Sequence, residues 1–136
     1  MTRAARYAYA FLACAYVLGL VYQVFLAGLG LFAGSDNWET HIGVGWMLHL
    51  VPILILVAAA LSRAGRRHWQ WALALALVVF VVPLFALARV DNPEVAALHP
   101  VSAFIAFALS ITVARNSLAA VRMTDAAPEP AARVAA

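Results

Sequence analysis

Polar residues interrupt this chain at only a few places, and the apolar runs between them set its architecture. The runs cover about Tyr7–Phe32, Asn37–Ser62, His68–Ala88 and Pro93–Leu118. Each is long enough to cross a hydrocarbon core as a helix, which takes roughly 20 residues. Only short connections separate them, so neighbouring helices should pack antiparallel. The pattern predicts an all-α, integral membrane, up-down-up-down four-helix bundle over residues 1–122. A disordered tail should follow over residues 123–136, where alanine, proline and charged residues take over. The first run continues from Ala8 to Ala33, far beyond the roughly 7–15 residues of a signal-peptide core, and reads as a first transmembrane helix.

Local signals mark the helix ends. Asp36 followed by Glu39 has the form of a capping box, and Asn92-Pro93-Glu94 offers an N-cap, a proline at the first helical position and an acidic first turn. Gly34 and Gly65 mark the exits from the first two helices. Pro52 and Pro83 fall inside helices two and three and should kink them, Pro52 by leaving the Leu48 carbonyl without its donor. Ala15/Gly19 and Gly30/Gly34 are small residues four apart, the spacing that lets helices approach closely in lipid. Trp38, Trp69 and Trp71 lie near the two interfaces, where indoles are favoured.

Composition agrees with this pattern: 66% of the 136 residues are hydrophobic and 11% charged, which places the chain outside the soluble globular range. The charge is asymmetric. Arg3, Arg6, the Arg63–Arg67 turn, Arg115, Arg122 and Arg133 fall on one side, and Asp36, Glu39, Asp91 and Glu94 on the other with Arg89 as the single cation. The positive-inside rule then puts both termini in the cytoplasm, in a bacterial inner membrane. The small positive excess at segment ends does not suit a nucleic-acid partner. The single cysteine, Cys14, cannot form an intrachain disulfide.

The two acidic turns resemble each other. Asp36-Asn37-x-Glu39 precedes His41, and Asp91-Asn92-x-Glu94 precedes His99, with the histidine five and eight residues after the aspartate. A duplication of this kind makes helices two and four equivalent and sets them diagonally across the bundle. The unequal spacing leaves His99 about 4.5 Å further along its helix than His41, unless the caps or Pro100 absorb the difference.

No carboxylate falls within a span beyond its first turn, which argues against an ion-coupled pump, and no nucleophile, metalloprotease or phosphate-loop motif occurs. No enzymatic role is expected. The polar candidates are Gln23, His41, His49, Arg89 and His99. His41 and His99 are the expected metal ligands, with Gly45 and Ala103 one turn on from each to make room for a flat macrocycle. Arg89 is placed to meet a propionate or Asp36. His49 lies two turns below His41. It is either an alternative ligand or, at the depth of Gln23, that residue's hydrogen-bond partner.

With one histidine near the outer end of each of helices two and four, the chain resembles one half of haem A synthase, and more loosely the cytochrome b561-type bundles. It is also similar to small, functionally uncharacterised bacterial four-helix membrane proteins carrying Gln-x-x-x-Ala-Gly in helix one, here Gln23 and Ala27-Gly28. The synthase resemblance implies haem ligation by His41 and His99. Glu39 stands two rather than three residues before His41 and no outer-loop cysteine pair is present, so synthase activity is not implied. Two readings follow. One is a b-type haem protein for electron transfer or haem handling. The other is an accessory subunit, packed in a larger respiratory or photosynthetic complex or in a homo-oligomer, in which a histidine ligates (bacterio)chlorophyll or no cofactor is held.

Overall fold

The computed structural model describes residues 2–34 and 37–125. Asp36, and with it the proposed capping box, lies outside the described residues, as does the tail beyond residue 125. The described chain is helical throughout, in six elements: α1 (Thr2–Phe32), α2 (Asn37–His49), α3 (Val51–Leu61), α4 (Arg66–Leu87), α5 (Pro93–Ala96) and α6 (Leu98–Asp125). α2 with α3, and α5 with α6, are single spans broken by proline, so four helices are long and apolar enough to cross a membrane. This is a multi-pass membrane protein.

The breaks have a common cause. Proline lacks the N–H that the carbonyl four residues earlier would accept. Pro52 deprives Leu48, and the helix is interrupted at Leu50; Pro100 deprives Ala96, and the interruption falls at Ala97. Pro83 behaves otherwise: α4 runs past it unbroken to Leu87. Asn92 occupies the N-cap of α5 with Pro93 next and Glu94 in the first turn, but the Asn92 side chain makes no capping bond. Gly34 and Gly65 adopt φ of 119° and 115°, a region L-residues avoid. Gly34 follows the end of α1 as expected, whereas α3 already ends at Leu61 with Ser62 as its C-cap and Gly65 is the N-cap of α4. α6 continues past Leu118 to Asp125, so the tail expected from residue 123 begins later than composition suggested. Its run of Leu118, Ala119, Ala120 and Arg122 is made of strong helix formers, which carry the helix on.

α1 packs on α2, α3 and α6, and α4 packs on α3 and α6. The α2/α3 span and α6 therefore sit across from each other without close packing, as the repeat predicts. Close approach is set by glycine. A Cβ on Gly19 would fall 2.7 Å from the Leu48 side chain, and one on Gly30 would fall 2.7 Å from the Trp38 indole. These contacts lock α2 in register on α1.

The buried core is lopsided. Its members are Tyr9, Ala13 and Tyr16 of α1, Ile55, Ala58 and Ala59 of α3, Ala72, Leu75 and Val79 of α4, and Ala106, Val113 and Ala114 of α6. Nearly all belong to the end of the bundle where Tyr9 meets Val113 and His68, and Arg6 donates to the Ser62 carbonyl. α2, at the other end, has no buried residue. His41, His49 and His99 occupy that open end, and His68 the other.

Candidate functional site

The site is built from α1 outward. Gln23 is buried, only 9% exposed, a position that demands partners for its amide. It finds one: Gln23 Nε2 donates to the His41 carbonyl at 3.1 Å, while His41 Nδ1 donates to the Gln23 carbonyl at 3.2 Å. A reciprocal clamp thus ties α1 to the first turns of α2. Gln23 Oε1 is buried without a partner.

The clamp corrects the expected Gln23–His49 bond. The Trp38–Gly30 and Leu48–Gly19 contacts place Gly45, not His49, opposite Gln23. His49 consequently lies one turn deeper, where its ring meets Trp46 and Phe80, each at 5.8 Å. Gly45 also differs from expectation in its neighbour. A Cβ there would come within 3.3 Å of Gln23 Nε2, so the room it provides is taken by the amide.

On the other side of the site His99, two residues into α6, turns Nδ1 to the Val82 carbonyl of α4 at 2.9 Å. The His41 and His99 rings meet, with centroids 6.5 Å apart and planes at 78°. The offset expected from their unequal spacing has been absorbed by the short α5 and the interruption at Ala97. Trp38 stands edge-on to His41 at 5.5 Å, joining the Gly30 notch to the imidazole pair. Ala103 is half-buried one turn beyond His99, and Arg89 is exposed in the turn after α4. Sequence reasoning missed the two carbonyls that hold the imidazoles, because main-chain acceptors leave no trace in side-chain identity.

These bonds fix the chemistry of the rings. A carbonyl only accepts, so each Nδ1 carries a proton, and it is Nε2 of each ring that remains for another partner. This is the arrangement metal-bound histidines use, with the second ring nitrogen anchored to a carbonyl. Among the described residues no group of three or more His, Cys, Asp or Glu comes together. A haem iron would ask two imidazoles of the protein, and His41 and His99 are the pair that could supply them.

Among known protein families, the chain is similar over residues 23–89 to a family of unknown function, DUF6220. That segment starts at Gln23 and ends at Arg89, taking in the clamp, His41 and His49 but not His99. No curated protein and no solved structure matches the chain.

Proposed function

We propose that this protein binds a b-type haem between α2 and α6, with His41 and His99 as the residues that would hold its iron, for electron transfer or haem handling. The observation that carries the reading is the matched pair of imidazoles, in ring contact with each other and each anchored through Nδ1 to a carbonyl of a neighbouring helix. When bound, the haem would supply one-electron redox chemistry. The protein's part is to hold both imidazoles in one tautomer, to orient them through α1 and α4, and to keep water away with Trp38 and the surrounding apolar helices. Arg89 is the cation available to a propionate at the rim, and Ala103 leaves space beside His99.

In this reading the helices alternate in direction and both termini lie in the cytoplasm. The arginine-rich end faces inward, and the haem site faces the outer leaflet of a bacterial inner membrane. The test is spectroscopic. The purified full chain, loaded with haem, is expected to give the Soret and α/β bands of a six-coordinate low-spin iron. The His41→Ala/His99→Ala variant is expected to lose them while keeping its helical circular dichroism. Absence of a Soret band in the loaded protein, or an unchanged spectrum in the double variant, would overturn the proposal.

A further inference from the structure

His49 stands midway along the 25-residue Asn37–Leu61 span, about 18 Å from either end at the rise of a helix. Its ring meets Trp46 and Phe80, each at 5.8 Å, and it makes no hydrogen bond to any described residue. The buried polar atoms without a partner are Gln23 Oε1, His68 Nδ1 and Asn116 Nδ2. The His49 nitrogens are not of that kind and are reached from outside the bundle. α4 packs on α3 and α6 but not closely on α2, so His49 and Phe80 meet where α2 and α4 part.

We propose that this seam binds the head group of a membrane-dissolved quinone, with the His49 imidazole hydrogen-bonded to a quinone oxygen and Trp46 and Phe80 beside its ring. Three observations select this ligand. The first is depth. A hydrocarbon core is about 30 Å thick, so lipid phosphates, esters and water lie about 15 Å from a group at its centre. An ionisable side chain there needs a polar partner that moves within the core itself. A quinone is such a molecule, with two oxygens on a flat, uncharged ring and an apolar tail. The second is the chemistry of the group. A neutral imidazole has one N–H donor and one acceptor nitrogen, so it donates to a quinone carbonyl and accepts from the hydroxyl of the reduced quinol. The third is shape. Trp46 and Phe80 are 52% and 64% exposed and come from different spans, so a planar ring at His49 finds an aromatic neighbour on either helix. The ring contacts of His49 do not include His41 or His99, and quinone binding here does not depend on haem.

The test uses the full chain without haem, in phosphatidylcholine nanodiscs, photolabelled with an azido-substituted ubiquinone that carries a decyl tail. Label is expected on the segments around Trp46–Leu50 and Phe80. Excess decylubiquinone should displace it, whereas decylbenzene, with the same tail and a ring without oxygens, should not. His49→Phe keeps a ring but removes its nitrogens, and should raise the decylubiquinone concentration for half displacement about fivefold, the worth of one hydrogen bond. His49→Gln, which restores a donor and an acceptor, should recover most of that loss, and Phe80→Ala should weaken binding from the other helix. Label confined to other segments, equal displacement by decylbenzene, or unchanged affinity in either His49→Phe or Phe80→Ala would overturn the proposal. So would efficient disulfide formation between protomers carrying His49→Cys and Cys14→Ala in a bilayer, because a second copy would then cover the seam.

Discussion

Gly30 and Gly28 lie two residues apart on α1, and the structure predicts opposite outcomes when each becomes alanine. A Cβ at Gly28 meets nothing within 4 Å. A Cβ at Gly30 falls 2.7 Å from both Cδ2 and Cε2 of Trp38 and 3.0 Å from its Nε1. Ordinary carbon contacts lie at about 3.5–4.0 Å, so the indole would have to retreat by about 1 Å. A fused ring cannot do this by turning one bond. It must carry α2 with it, and overpacking of that kind costs about 1–3 kcal/mol. Alanine recovers up to about 1 kcal/mol of helix propensity at either position. Gly28→Ala is therefore neutral or mildly stabilising, and Gly30→Ala is destabilising by about 1–2 kcal/mol net. Gly19→Ala falls between, because its nearest atoms are the methyl ends of Leu48, which can move to another rotamer. Thermal unfolding in detergent, followed by circular dichroism, should give that order, with Gly30→Ala lowering Tm by roughly 4–8 °C. The cost should disappear in a Trp38→Leu background, which removes the ring. Equal penalties at Gly28 and Gly30, or a Gly30→Ala penalty that survives Trp38→Leu, would refute the packing argument.

Further outcomes follow from the clamp and the proline break. Gln23→Leu removes one hydrogen bond but also the unpartnered Oε1, so it should cost less than about 1 kcal/mol by thermal unfolding; because the His41 ring is held by the Gln23 main chain, any haem spectrum should persist. A loss above about 3 kcal/mol would mean that the amide carries more than this bond. Pro52→Ala restores a donor for the Leu48 carbonyl, and hydrogen exchange at Leu50–Ile53 should slow by tenfold or more as α2 and α3 fuse. Unchanged exchange there would show that the interruption does not originate in the proline.

Much of the fold was legible because hydropathy alone decides whether a segment can live in lipid, and each of the four runs became a spanning helix. Both internal prolines were expected to kink their helices; at Pro52 the span is interrupted, whereas α4 runs on past Pro83 to Leu87. The pairing of His41 with His99 was also legible, since both follow an acidic turn at the same end. The partner of Gln23 was not. Counting inward from the helix ends suggested His49, but register in a membrane bundle is set by which side chain seats in which glycine notch, and Trp38 and Leu48 chose otherwise. Gly45 was picked out as room for a macrocycle, but the group that sits against it is the Gln23 amide.

The uneven distribution of the core has a mechanical consequence. Beyond Leu50, α2 is an arm held by glycine notches and one amide clamp, whereas α3 on the other side of the break is rooted among buried side chains. Loosening α2 about Leu50 would therefore leave the buried face of α3 in place, so the amides of Asn37–His49 are expected to exchange with solvent before those of Val51–Leu61.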